Sequence, residues 1–76
     1  MELIQYAYEL RTKYHTFGGC VKAVDHQDAI NKIQDRLNWI ESSEIVSISL
    51  ATTYDMSNAT TYRFDFGYGF EGRKEA

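Results

Sequence analysis

Apolar and polar residues alternate from the start of the chain. Ile4, Tyr6, Tyr8 and Leu10 are interleaved with Gln5, Ala7, Glu9 and Arg11. That period of two predicts a half-buried strand from about Glu2 to Lys13. The "HTFGG" that follows supplies a reversal, since glycine takes the backbone angles of tight turns and bulges. A shorter strand is then expected through Cys20, Val21, Lys22, Ala23 and Val24.

The period changes at Asp25. Ala29, Ile30, Ile33, Leu37 and Ile40 recur at helical spacing and make one apolar stripe. This predicts a helix from about His26 to Glu41, with Asp25 as N-cap and Asp28 in the first turn, where a carboxylate favours the macrodipole. Asp28 and Lys32 are spaced for an i,i+4 ion pair.

Alternation then resumes. Val46, Ile48, Leu50, Thr52 and Tyr54 alternate with Ser47, Ser49, Ala51 and Thr53, "DMSN" supplies a turn, and "TTYRFDFGYGF" places Tyr62, Phe64, Phe66, Tyr68 and Phe70 at every second position. The order is ββαββ in a single α+β domain over residues 1–71, with a polar tail at 72–76 that is expected to fray. One helix with one apolar stripe is most simply laid across one face of a four-stranded sheet. A right-handed crossover that keeps the first strand between the second and third gives the spatial order 2-1-3-4, in which every neighbouring pair is antiparallel. The last strand then lies at an edge, with five aromatics on the face that packs against the helix. Such an edge invites pairing with another chain.

The sheet face turned away from the helix is composed differently. Beside Gln5, Ala7, Glu9 and Arg11 it should present Ser47, Ser49, Ala51 and Thr53, then Thr61, Arg63, Asp65, Gly67 and Gly69. Small side chains allow another backbone or a flat ring to come close, and glycine weakens a strand unless the space is used.

Composition limits what such a domain does. At 76 residues the chain is near the lower limit for folding on a hydrophobic core alone, and one cysteine cannot form an internal bridge. That favours a genuine aromatic core together with self-association, as a homodimer. The amino terminus has neither a basic n-region nor a continuous apolar run, and no paired cysteines occur, so a cytoplasmic protein without a membrane span is expected. A net charge of −3 opposes non-specific nucleic-acid binding, which needs many cations.

Candidate chemistry is sparse. Cys20, His15 and His26, even with Asp25 or Asp28, show no metal-ligand spacing, so neither a metal nor another cofactor is expected. A Cys20–His15 nucleophile pair is conceivable across the hairpin, but a lone cysteine in a strand reads as a small buried residue. The carboxylates are scattered, and the double glycine precedes no helix. No catalytic constellation is present, and a non-enzymatic role is expected.

The chemically best defined patch is the acid-free stretch from Leu10 to Val24. Arg11, Lys13 and Lys22 fall there with Tyr14, His15 and Phe17. If the hairpin register gathers the three cations, they form a phosphate site with rings to stack on a base. This gives the second expectation, a nucleotide or short nucleic-acid binder. The first is a small acidic protein-binding module, an adaptor, inhibitor or regulator, of the kind that phages and mobile elements direct at host proteins. Its expected contact surfaces are Trp39 and Asp35 on the helix side, Ser47, Ser49, Thr53, Arg63, Asp65, Gly67 and Gly69 on the sheet, and Tyr68 on the last strand.

Overall fold

The computed structural model describes residues 2–65, 69 and 70, with only the backbone described at 65, 69 and 70. Strands β1 (Ile4–Thr12) and β2 (Thr16–Ala23) form a hairpin, helix α1 (His26–Arg36) follows, and strands β3 (Ile45–Ala51) and β4 (Thr60–Asp65) complete the main sheet. A two-residue strand, β5 (Gly69–Phe70), pairs back on β4. The spatial order is β2-β1-β3-β4-β5, and every pair is antiparallel. The ββαββ order and the 2-1-3-4 arrangement of the four main strands are those the alternation predicts.

Helix α1 starts where its sequence asks it to. Asp25 Oδ1 accepts the Asp28 N–H at 2.8 Å, and Asp28 Oδ2 reaches back to the Val24 N–H at 3.0 Å. The two carboxylates thus satisfy amides on either side of the helix start, a reciprocal arrangement close to a capping box. Asp28 also pairs with Lys32 at 3.2 Å. The Val24 amide above all holds the Asp28 carboxyl below the usual carboxylate range; burial opposes it, and Lys32 adds to it.

The helix ends earlier than its apolar stripe. Leu37 leaves helical geometry (φ −110°, ψ 33°) although its N–H still reaches Ile33 O, and the Ile40 N–H closes a turn onto Leu37 O at 3.1 Å. Asn38, a weak helix former, lies inside that turn. The turn still delivers Ile40 to the core, where it is 8 % exposed, so the stripe is buried without continuous helix.

The core lies between α1 and one sheet face. Tyr6, Tyr8 and Leu10 of β1, Val21 and Ala23 of β2, and Ile48 and Leu50 of β3 meet Ala29, Ile30 and Ile33 of α1. Phe17, Leu37, Tyr62 and Phe64 close its margins. Fully burying a side chain such as Ile33 contributes about 1.5–3 kcal/mol. His26 sits edge-on to both Tyr6 and Tyr62, and its Nδ1 shares a hydrogen bond with the Tyr62 hydroxyl. Ile4 and Val46 follow the core-facing alternation yet remain exposed. Ile4 is the first residue of β1, and Val46 is the extra residue of β3 where its register with β1 shifts, which turns it to the face away from the helix.

Three expectations need correction. The double glycine is not the hairpin turn, because β2 begins at Thr16 and Gly18 and Gly19 lie within it. The reversal is built by Thr12, whose Oγ1 accepts the His15 N–H at 2.8 Å and donates to His15 O. A register shift between Arg11 and Thr12 accompanies this turn, and Thr12 is buried. Gly19 serves another purpose: a Cβ there would lie 2.8 Å from the Tyr8 hydroxyl, so only glycine leaves room for that ring.

Second, "TTYRFDFGYGF" is not one strand. β4 stops at Asp65, and the chain returns so that Phe70 lies opposite Phe64 and Gly69 opposite Asp65. The five aromatics therefore do not line one continuous ladder: Tyr62 and Phe64 border the core, whereas Phe66, Gly67, Tyr68 and the tail at 72–76 lie outside the described residues. Third, Cys20 is half-buried rather than enclosed, for its position opposite Ala7 puts it on the face away from the helix.

Edge strand β2 is protected by the helix. Lys32 Nζ donates to Lys22 O at 2.9 Å and Arg36 Nη1 donates to Cys20 O at 3.1 Å. These cations occupy strand carbonyls that would otherwise be available to another chain.

Candidate functional site

The register assembles the open face of the sheet row by row. Ala7 stands between Cys20 of β2 and Ala51 of β3; Glu9 between Gly18 and Ser49; Arg11 between Thr16 and Ser47. On the other side of β3, Ser49 faces Thr61 and Ser47 faces Arg63. The Ser49 and Thr61 hydroxyls are hydrogen-bonded at 2.9 Å.

This face is sunken rather than flat. Ala7 and Ala51 are each 7 % exposed and Ser47 is 9 % exposed, although α1 lies on the other side of the sheet. The cover comes from the segment between β3 and β4. Gln5 Nε2 donates to the Tyr54 hydroxyl at 2.6 Å, which pins that segment across the end of β1. Asp55 then caps a short 3-10 turn at Met56–Asn58, accepting from the Ser57 N–H and the Asn58 amide. These contacts, Ser57 first, hold the Asp55 carboxyl below its ordinary range. The turn raises Met56 and Ser57 into a wall beside β3, enclosing a cleft of about 380 Å³ whose floor carries Ser47, Ser49 and Thr61 and whose flanks carry Arg11 and Arg63.

Two smaller depressions lie at the opposite end. One of about 340 Å³ runs from Gln5 and Cys20 to Arg36, and one of about 280 Å³ lies between Gln5, Ala7 and Tyr54. Tyr54 is largely exposed, and the Cys20 side chain beside its hydroxyl, together with slight burial, raises the phenol above its usual value.

The hairpin cations are not gathered. Lys22 pairs with Gln5, six residues along β1 from Arg11, or about 20 Å. Arg11 turns onto the open face beside Glu9 at 3.4 Å, and Lys13 is exposed at the tip, where its N–H bonds Glu44 O. Tyr14 and His15 occupy the turn. Phe17 packs at the core margin, with His15 and Trp39 against it edge-on. The phosphate site expected from Arg11, Lys13 and Lys22 together is therefore not assembled. Nor is the Cys20–His15 pair: Cys20 lies opposite Ala7, whereas His15 lies beyond the Arg11–Thr16 end of the ladder.

The expected protein-contact residues divide between the two layers. Ser47, Ser49 and Arg63 share the cleft, and Thr53 lies near Tyr54. Trp39 and Asp35, both exposed, belong to the helix layer and cannot share one surface with them. Asp65 and Gly69 pair with each other between β4 and β5, and Gly67 and Tyr68 fall outside the described residues. Met56, Ser57 and Tyr54 are the contributors that strand alternation misses. Their signal was the Asp55–Ser57–Asn58 combination, which favours a compact Asx-capped turn over an open loop.

The charge is uneven as well. Among the described side chains the open face carries Arg11, Lys22 and Arg63 against Glu9 and, on the turn that covers it, Asp55. The helix and the turn after it carry Asp25, Asp28, Asp35, Glu41 and Glu44 against Lys32 and Arg36. An acidic protein thus presents a locally basic sheet face. Among the described residues no group of three or more His, Cys, Asp or Glu side chains is placed to hold a metal ion, and no helix is long and apolar enough to cross a membrane. No protein-family model matches the chain, and no curated protein or solved structure matches it.

Proposed function

We propose that the chain is a non-enzymatic protein-binding module, acting in the cytoplasm as an adaptor, inhibitor or regulator, and that it receives its partner on the open sheet face. The observation that carries this reading is the sunken floor of Ala7, Ala51 and Ser47 between the taller Arg11, Arg63, Tyr54 and Met56. Small floor residues let a partner's side chains enter between the rims, which is how a surface gains shape complementarity without a deep pocket. The basic rim favours an acidic partner segment and speeds its encounter. Self-association is part of the proposal, through β4, whose outer edge β5 meets, among the described residues, at Phe64 and Asp65.

The test is affinity capture from cells of the source organism, with the partner identified and quantified by mass spectrometry. Ser49→Arg places a long side chain in the cleft, and Asp35→Arg alters the helix layer. The expected result is one stoichiometric protein, captured by the parent and by Asp35→Arg and lost with Ser49→Arg while the variant's circular dichroism is unchanged. Capture lost with Asp35→Arg and kept with Ser49→Arg refutes the choice of face. Light scattering at micromolar concentration should show a mass above that of the monomer.

A further inference from the structure

The row Arg11–Ser47–Arg63 crosses three adjacent strands on one face. Two strand spacings put the arginine backbones about 10 Å apart, and both side chains line the same cleft. Ser47 lies between them, and its hydroxyl has no hydrogen-bond partner among the described residues. No buried side-chain nitrogen or oxygen lacks a partner there, so the Ser47 oxygen opens into the cleft. Met56 and Ser57 of the covering turn supply a wall, the Ser57 hydroxyl being donated to Asp55 Oδ1.

We propose that this cleft is a binding site for a phosphomonoester dianion, held between the Arg11 and Arg63 guanidinium groups over the Ser47 hydroxyl. Arginines on opposite walls call for an anion with acceptor oxygens on both sides. A tetrahedral phosphate has three terminal oxygens and meets both forks and the hydroxyl together. A carboxylate is planar, and its two oxygens are satisfied by one fork. The exposed Arg11–Glu9 pair, at 3.4 Å, is a weak competitor, and Arg63 likewise exchanges an existing partner for the anion. The cleft, at about 380 Å³, falls within the range of small-ligand pockets, which leaves room for the group that carries the phosphate. That group is either a phosphorylated side chain of a protein or a mononucleotide, and the shared chemistry is the monoester. The inference rests on the reading of the open face as the recognition surface, whose partner it supplies with a chemistry.

The experiment is a titration of the full chain at low salt, followed residue by residue through its amide NMR shifts. The probes are phenyl phosphate, O-phosphoserine, adenosine monophosphate and, as the planar control, benzoate. Phenyl phosphate should saturate below about a millimolar, with the largest shifts at Ser47, Ser49 and Thr61. Benzoate should bind at least about tenfold more weakly. Arg63→Gln and Arg11→Gln should each weaken phenyl phosphate about tenfold or more, whereas Glu9→Gln, which frees Arg11, should tighten it. If an arginine variant loses its folded spectrum, Ser47→Asp replaces it and should abolish binding through like charge. A preference for O-phosphoserine assigns the site to phosphoproteins, a preference for the nucleotide to mononucleotides, and equal binding to the phosphate alone. All three support the site.

Phenyl phosphate that fails to saturate, shifts centred elsewhere, or equal binding by the parent and the folded arginine variants overturns the proposal. If Ser49→Arg abolishes partner capture while phenyl phosphate does not bind, the anion site falls and the docking face stands. If phenyl phosphate binds while capture ignores Ser49→Arg, the docking reading falls instead.

Discussion

Gly18 and Gly19 are adjacent, carry the same side chain and belong to the same strand, yet a methyl group should act oppositely at the two positions. Gly18 lies on the open face opposite Glu9; Gly19 lies on the helix side opposite Tyr8. A Cβ at Gly18 would find its nearest neighbour, the Tyr8 carbonyl oxygen, at 3.7 Å, an ordinary contact. A Cβ at Gly19 would lie 2.8 Å from the Tyr8 hydroxyl and 3.0 Å from Cε2 and Cζ of the ring. Tyr8 is only 6 % exposed and packs within the core, so the ring has little freedom to retreat. Neither glycine has a left-handed backbone, and strain at φ does not enter.

Two effects set the magnitude. Replacing glycine by alanine where the backbone permits it stabilises by about 0.4–1 kcal/mol, because the unfolded chain loses freedom. Forcing extra volume into a packed site costs about 1–3 kcal/mol. Gly18→Ala feels only the first and should gain about 0.4–1 kcal/mol. Gly19→Ala feels both and should lose about 1–2 kcal/mol. For a domain of this size each kcal/mol moves Tm by about 4–8 °C. Urea unfolding followed by far-ultraviolet circular dichroism should show opposite shifts in midpoint at unchanged slope. Tyr8→Leu removes the hydroxyl and ring edge that the new methyl meets, so in that background Gly19→Ala should become neutral or favourable. Equal stability of Gly18→Ala and Gly19→Ala would refute the packing argument, as would a Gly19→Ala penalty that survives Tyr8→Leu.

Three further outcomes follow from burial and charge. Ile33→Ala should cost about 2–5 kcal/mol, and Leu37→Ala, at the helix end and only partly buried, clearly less; chemical unfolding of both checks the order. Because the Val24 amide and Lys32 lower the folded pKa of Asp28, its contribution is present above the unfolded carboxylate value of about 3.9 and is lost as pH falls through the lower folded value. Asp28→Asn should flatten that part of the acid profile of Tm. Burial raises the pKa of Tyr6, with Asp25 adding to it, and raises that of Tyr62, with Tyr6 adding to it. Their stabilisation is therefore complete below about pH 10 and is lost as pH rises toward the folded values. Tyr62→Phe should reduce this alkaline loss, read from thermal melts across that range.

Local order was legible in the sequence because local order is written at short spacing. Period-two alternation in β1 and β3, the 3.6-residue stripe of α1 and the Asp25 cap each depend on residues a few positions apart. With only one helix to cover one apolar sheet face, even the 2-1-3-4 strand order followed. What stayed hidden depends on contacts between distant segments. Strand register sent Lys22 to Gln5 and away from Arg11, and it set Arg63 across Ser47 from Arg11. The chain reversal after Asp65 divided one apparent strand into β4 and β5. Asp55 and Tyr54 folded an apparent turn back over β3, burying Ala51 on a face that alternation assigned to solvent. A side chain's sequence neighbours determine which face of its element it occupies. The residues that meet it there are brought by strand pairing over tens of residues, and only the closed tertiary structure decides them.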